Sequence, residues 1–143
     1  MSLNHPKAGP NLVGAYQLSG IPFVTGSVVA GENLSSVQKE FPFPFATRFI
    51  TLVNYNSADT ENLHVAFSAE GLSGTPGSGQ TNFFVVKSNS DVTLDVRCKS
   101  VFISTTNDTV KWSMCAGLTP IASADFPVLT GSNGFAGVGG ASV

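Results

Sequence analysis

Charged side chains are scarce in this sequence. Of its 143 residues, 11% are Asp, Glu, Lys or Arg, less than half of the roughly 25% that is usual in soluble domains. The seven Lys and Arg residues form no cluster, so the chain lacks the basic stripe with which proteins neutralise nucleic-acid phosphates. Because 42% of the residues are hydrophobic and the net charge is only −2, the composition is not of the disordered type. We expect a folded protein that binds no nucleic acid.

Long apolar runs and helical patterns are missing as well. No stretch approaches the roughly 18 consecutive apolar residues that a membrane-spanning helix needs. Residues 1–14 lack the apolar segment of a secretory signal. A length of 143 residues fits one domain, with a core large enough to fold without disulfides or a metal ion. We therefore expect one domain without a direct membrane span.

The residue types that carry catalysis and metal binding are few. His5 and His64 are the two histidines and stand far apart in the sequence, whereas a metal centre needs several ligands at characteristic spacings. Neither a phosphate-binding glycine loop followed by Lys nor a Gly-x-Ser-x-Gly motif occurs. We expect no enzymatic activity, no catalytic residues, no cofactor and no metal.

Strand parity separates the two cysteines. Within 91–97, apolar and polar residues alternate, and Cys98 continues the apolar series. Within 109–115 the same alternation places Cys115 on the polar side. A disulfide holds its two Cα atoms roughly 5.5–6 Å apart, which opposite faces of a strand layer do not allow easily. We expect both thiols to be reduced.

Short runs typical of β-strands fill the middle of the chain, and turn-forming Gly, Asn, Asp and Ser residues separate them. The predicted strands are 21–30, 34–41, 47–56, 62–70, 81–88, 91–97, 99–106 and 109–117. The sequence therefore predicts an all-β fold: a single eight-stranded antiparallel jelly-roll sandwich. It occupies 21–117, between an irregular N-terminal arm at 1–20 and a C-terminal tail at 118–143.

One aromatic block has an unusual pattern, Phe41-Pro42-Phe43-Pro44-Phe45. Proline donates no hydrogen bond to a sheet, so this block must leave the sheet or lie on an edge. Its three phenylalanine rings must still be buried. Two interpretations stay open: a corner that plugs one end of the sandwich, or a contact between subunits.

The layout resembles a known family. The arm, the eight predicted strands, the block from Phe41 to Asn54 and the tail from Ala116 to Phe135 resemble small single jelly-roll capsid proteins of large icosahedral DNA viruses of algae and protists. Within that family the chain is most similar to the penton proteins. The resemblance implies a structural virion protein at the capsid vertex, assembled in the host cell. It also implies a homopentamer that contacts neighbouring major and minor capsid proteins.

The resemblance also implies where subunits meet. In jelly-roll order, alternate connectors gather at one end of the sandwich, and by analogy that end approaches the five-fold axis. We predict contacts there and at the aromatic corner. The candidate interface residues are Asn56, Ser57, Asp59, Asn89, Asn107, Asp108, Phe41, Phe43 and Phe45. The scarcity of charge agrees with subunit sides that neighbours cover.

Two alternatives remain open. A minor capsid or cement protein would share the same strand pattern. A carbohydrate-binding β-sandwich would be favoured if Tyr55, His64 or Trp112 were exposed. We expect Trp112 in the core, because it lies on the apolar side of its strand, and His64 on a polar strand face.

Overall fold

The computed structural model describes residues 20–27, 39–67, 70–72, 83–107 and 109–126. These residues form eight β-strands and two short 3-10 helices, and the prediction of an all-β fold is confirmed. The strands are β1 (Ile21–Ser27), β2 (Lys39–Pro42), β3 (Phe45–Asn54), β4 (Leu63–Ala66), β5 (Phe84–Val86), β6 (Ser90–Leu94), β7 (Ser100–Thr105) and β8 (Trp112–Ala122). The 3-10 helices are η1 (Glu70–Leu72) and η2 (Ser123–Asp125).

The strands form two antiparallel sheets of four strands each. Sheet A has the order β1-β8-β3-β6, and sheet B has the order β2-β7-β4-β5. The pairs β1–β8, β2–β7, β3–β6 and β4–β5 are all antiparallel. Each strand in the first half of the chain thus pairs with one in the second half: β1 with β8, β2 with β7, β3 with β6 and β4 with β5. This is the pairing of one long hairpin that has been rolled into two layers.

The core lies between the two sheets. Ile50, Leu52 and Met114 of sheet A and Leu63 and Ile103 of sheet B are almost completely buried in one cluster. Each such side chain contributes about 1.5–3 kcal/mol by leaving water. Buried residues alternate with half-buried ones along β7, and with half-buried or exposed ones over the first five residues of β8, as expected for sheets with one buried face. The two sheets therefore form a β-sandwich.

The aromatic block turns the chain from one sheet into the other. It begins in β2, which is an edge strand of sheet B, and it ends at the first residue of β3. The prediction that the block leaves the sheet or lies on an edge is confirmed, since Phe41 and Pro42 lie on the edge among the described strands and Phe43 and Pro44 belong to no strand. The ring of Phe41 packs edge-to-face on Trp112 with centroids 5.2 Å apart, and Phe43 packs on Phe23 at 5.1 Å. Both rings therefore join the two layers from inside.

Strand β8 extends past Gly117, where the sequence suggested that the domain gives way to a tail. It continues through Pro120 to Ala122. Pro120 is tolerated within β8 because the pairing of β8 with β1 ends at Leu118, which pairs with Ile21. No hydrogen bond from residue 120 to β1 is therefore needed. Beyond that point Thr119 Oγ1 donates to the carbonyl of Ala46 at 2.7 Å. Ile121 is buried there in a small second core.

One glycine allows β1 to lie close to β8. A Cβ built on Gly26 would stand 2.6 Å from the carbonyl oxygen of Trp112 and 2.8 Å from Cα of Ser113. Both atoms belong to the backbone and cannot move aside cheaply. The pairing of β1 with β8 therefore requires glycine at this position.

The two cysteines lie as parity predicted: Cys98 is buried, Cys115 is exposed, and both are free. Cys98 follows β6, where Thr47 of β3 holds the chain. Thr47 Oγ1 donates to the carbonyl of Val96 at 2.7 Å and accepts from the Cys98 amide at 3.0 Å. Burial raises the pKa of the Cys98 thiol to about 11, although hydrogen bonds from Thr47 and Ser100 act in the opposite direction.

Candidate functional site

Three connectors meet at one end of the sandwich, which we call the polar end: 55–62, 87–89 and 106–111. Thr106 N donates to the carbonyl of Asn62 at 3.1 Å, and Thr109 Oγ1 donates to Glu61 Oε1 at 2.6 Å. These bonds join the first connector to the third. The β1–β2 connector, the fourth one predicted for this end, lies outside the described residues.

Two buried asparagines hold the polar end together. Asn54, the last residue of β3, donates through Nδ2 to the carbonyls of Glu61 at 2.8 Å and Val86 at 3.2 Å. Its Oδ1 accepts from the amide and from Nδ2 of Asn56. Asn56 in turn exchanges hydrogen bonds with the backbone of Lys111, donating to its carbonyl and accepting from its amide. The pair thus links the end of β3 to the segment before β4, to β5 and to the segment before β8.

The predicted interface residues of the polar end divide into two groups. Ser57, Asp59 and Asn89 are exposed and available to a partner, and Asn107 is half-buried. Asn56 is only 6% exposed, and its side chain makes hydrogen bonds inside the fold. We therefore expect it to stabilise the polar end and not to contact a partner subunit. Asp108 lies outside the described residues.

The turns at Asn89 and at Asn107 each have a defined backbone conformation. Asn89 has φ 51°, a left-handed conformation that asparagine adopts more readily than most residues. Asn107 Oδ1 accepts from the amide of Thr109 at 3.0 Å and from its hydroxyl at 2.6 Å. This Asx-type arrangement fixes the turn before β8. The polar end therefore presents defined turns, and its exposed side chains include the charged Asp59, Lys87 and Lys111 beside uncharged ones.

The phenylalanines of the aromatic corner are not equivalent. Phe41 and Phe43 are 9% and 2% exposed and belong to the chain's own core, whereas Phe45 is half-buried. The structure supports the interpretation as an internal plug for the first two rings. Their side chains are not at the surface, so a subunit contact at this corner would have to use Phe45 and the exposed Pro42 and Pro44.

A polar cleft opens beside the first two connectors. It has a volume of about 420 Å³ and is lined by Asp59, Asn62, Lys87, Ser88 and Ser90. One carboxylate, one ammonium group, an amide and two hydroxyls can hydrogen-bond a small polar ligand. Among the residues that the structure describes, none that lines this cleft is aromatic. Within the described part of the chain, no three His, Cys, Asp or Glu side chains lie close enough to share a metal ion.

The aromatic residues that would favour carbohydrate binding have different surroundings. Trp112 is 1% exposed and lies in the core, as expected. Tyr55 is 53% exposed, and its hydroxyl lies 2.6 Å from Ser113 Oγ. The His64 ring is half-buried on the outer face of sheet B against the Phe83 ring, with centroids 4.6 Å apart. Desolvation at this position lowers the pKa of His64.

The sequence analysis did not identify three buried polar residues, one at the polar end and two near the aromatic corner. Asn54, Thr47 and Thr119 are almost fully buried polar residues and were not singled out. A signal for Asn54 was available, since it continues the inward series of Ile50 and Leu52. A polar residue at an inward position must find hydrogen-bond partners inside the fold.

The chain matches no protein-family model, no curated protein and no solved structure. None of the helices among the described residues has the length and apolarity to cross a membrane. The candidate functional surface is therefore defined by geometry alone: the polar end, with the cleft beside it.

Proposed function

We propose that this protein is a structural capsid subunit with a single jelly-roll domain, which forms a homopentamer at the five-fold vertices of an icosahedral virion. The strand order carries the proposal. Pairing of β1 with β8, β2 with β7, β3 with β6 and β4 with β5 is the order expected of a jelly roll. This architecture recurs in viral capsid and lectin domains.

The polar end is suited to a position near a symmetry axis. Ser57 and Asn89 are exposed and uncharged, whereas Asp59, Lys87 and Lys111 at the same end are exposed and charged. Hydroxyl and amide groups can hydrogen-bond between copies without the cost of removing like charges from water. The buried Asn54–Asn56 pair ties the end of β3 to the segment before β8, which lowers the cost of ordering this backbone when copies meet.

The outer face of sheet A supports a covered subunit side. One row of residues crosses all four strands: Val24 pairs with Cys115, Cys115 with Thr51, and Thr51 with Thr93. None of the four is charged. Arg48 and Asp95 form an ion pair with each other, and Asp91 of β6 is a further exposed charge on this side. A ring of copies would use such a side in a heterologous contact, in which each copy meets a different surface of the next.

Two observations favour a carbohydrate-binding module as the second candidate: Tyr55 is 53% exposed, and the polar cleft beside Asp59 and Lys87 has donors and acceptors for hydroxyl groups. Against it, the tryptophan that would make the best stacking platform is buried in the core. The capsid proposal therefore accounts for more of the structure.

Light scattering after size-exclusion chromatography tests the proposal. A species at five times the 14.8 kDa chain mass is expected. A trimer would contradict the vertex role and favour a minor capsid or cement protein. A monomer at every concentration would contradict the homopentamer. Glycan-array binding by such a monomer, lost in an Asp59→Ala variant, would establish the second candidate instead.

A further inference from the structure

The polar cleft contains a buried acceptor that the chain itself leaves unsatisfied. Asn62 Oδ1 is buried and has no hydrogen-bond partner among the described residues. The backbone of Asn62 is held by Thr106, because its amide donates to Thr106 Oγ1 at 2.9 Å and its carbonyl accepts from the Thr106 amide at 3.1 Å. Buried polar groups of native proteins nearly always have a partner. Asn62 lines the cleft, so a donor seated there can satisfy Oδ1 after a small rotation of the amide.

Two charges of opposite sign line the same cleft on different segments. Asp59 belongs to the connector before β4, and Lys87 follows β5. Leu63 pairs with Val86 in the antiparallel ladder of β4 and β5. The residues next to this pair, Asn62 and Lys87, therefore stand opposite each other. Asp59 and Lys87 are both exposed, and within the described part of the chain no ion pair joins them. Each charge can thus meet a charged group of a ligand.

The turn after Lys87 adds a hydroxyl donor to the basic side of the cleft. Ser88 and Ser90 line the cleft on either side of Asn89, whose φ of 51° is left-handed. Ser90 Oγ donates to the carbonyl of Ser88 at 3.3 Å. The Ser88 hydroxyl can donate to an anion beside the Lys87 ammonium group. The cleft therefore offers two acceptors on one side and donors on the other.

We propose that this cleft binds a small zwitterion, a molecule that carries both an ammonium group and an anionic group. The ammonium group would lie between the Asp59 carboxylate and Asn62 Oδ1, and the anionic group at Lys87. A volume of about 420 Å³ admits a molecule of this size. The inference goes beyond the proposed function and does not depend on how many copies associate.

The balance of charge favours a zwitterion over simpler ligands. One carboxylate and one ammonium group line the cleft, so a simple anion or cation is attracted at one end and repelled at the other. A neutral sugar would leave both charges without a partner. It would also find no aromatic ring to stack on among the described lining residues.

Isothermal titration calorimetry of the full chain at pH 7 tests the inference. The zwitterionic probes are γ-aminobutyrate and phosphoethanolamine, which distinguish a carboxylate from a phosphate as the anionic group. Acetate and methylammonium each carry one of the two charges, and glucose carries none. We expect one or both zwitterions to bind about tenfold or more tightly than every other probe.

Three variants locate the binding. Asp59→Asn and Lys87→Gln keep the shape of the side chain and remove its charge, and each should weaken zwitterion binding about tenfold or more. Glu40→Gln is the matched control, because Glu40 is exposed on β2, at the edge of sheet B opposite to β5. It should leave binding unchanged. Thermal unfolding checks that all three variants fold.

Each outcome supports or overturns the inference. Weakened binding in folded Asp59→Asn and Lys87→Gln, with unchanged binding in Glu40→Gln, supports it. Binding of glucose as tight as that of the zwitterions overturns it and favours the carbohydrate-binding candidate. Absence of zwitterion binding, or equal binding by all variants, overturns it as well. None of these results bears on the homopentamer, which light scattering tests separately.

Discussion

At the polar end of the sandwich, one side-chain oxygen of Asn54 accepts two hydrogen bonds from Asn56. Oδ1 of Asn54 accepts from the amide of Asn56 at 3.1 Å and from its Nδ2 at 2.7 Å. Through this contact the end of β3 is connected to the β7–β8 connector at Lys111. The surface proposed to meet the symmetry axis is therefore built on two buried side chains that no partner would touch.

The Asn54–Asn56 pair should dominate the stability of the polar end. Asn54→Ala leaves buried carbonyl and amide groups without partners, and we expect a loss of about 2–4 kcal/mol in the free energy of unfolding. Asn56→Ala should cost about 1–3 kcal/mol, and the double variant should cost less than the sum. Urea denaturation measures all three. The exposed Ser57→Ala variant serves as the control and should change stability by about 0.5 kcal/mol or less. Equal effects of Asn54→Ala and Ser57→Ala would contradict this network.

Gly26 should be intolerant of a single added methyl group. Its Cβ would overlap the backbone of β8, so Gly26→Ala must push β1 away and should destabilise the protein by about 1–3 kcal/mol. Gly20→Ala provides a control at the start of the same strand, because nothing lies within 4 Å of its Cβ position. Thermal unfolding of the two variants gives the comparison. Identical melting temperatures would show that β1 does not approach β8 as described.

The two cysteines should react at very different rates. Cys115 is exposed, whereas Cys98 is buried and its pKa is raised to about 11, which leaves little thiolate at pH 8. A maleimide should therefore label one site in the native protein and two sites in urea, as counted by mass spectrometry. Cys115→Ser should abolish the native labelling. Rapid native labelling that persists in this variant would place Cys98 at the surface.

Mild acid should destabilise the protein in part through His64. Desolvation lowers the pKa of His64 in the folded state below its ordinary value of 6.5. The unfolded chain therefore takes up the proton first, and stability falls as the pH drops from above 6.5 towards the folded-state pKa. Urea denaturation at pH 7.5 and at pH 5.5 measures the loss (roughly one unit either side of the ordinary histidine value). His64→Gln should lose less stability than the wild type over this interval. An equal loss would show that carboxylates alone cause the effect.

Much of the sandwich could be predicted from alternation alone. Leu63 and Val65 of β4 and Trp112 and Met114 of β8 point inward as their spacing predicts, because one face of each sheet is buried. The edge position at which the aromatic block begins also follows from local chemistry, since proline has no backbone N–H to donate to a neighbouring strand. These features depend on residues close together in the sequence.

Strand ends and buried polar residues were harder to predict. β8 continues past Gly117 and Pro120 because it still pairs with β3 as far as Ala122, which only the tertiary register reveals. Asn56 is of a residue type that is common in turns. Its side chain, however, hydrogen-bonds to the side chain of Asn54 and to the backbone of Lys111, which is far away in the sequence. Local propensity favours a turn for such a residue, whereas long-range hydrogen bonds decide that its side chain is buried.

The rotational symmetry of the assembled particle tests the central claim most directly. Cryo-electron microscopy of the purified protein should show rings of five copies, with the connectors 55–62, 87–89 and 106–111 towards the axis. That result would establish the homopentamer and the position of the polar end in it, as the vertex proposal requires. Rings of another symmetry, or five-fold rings with the polar end directed outward, would contradict the account.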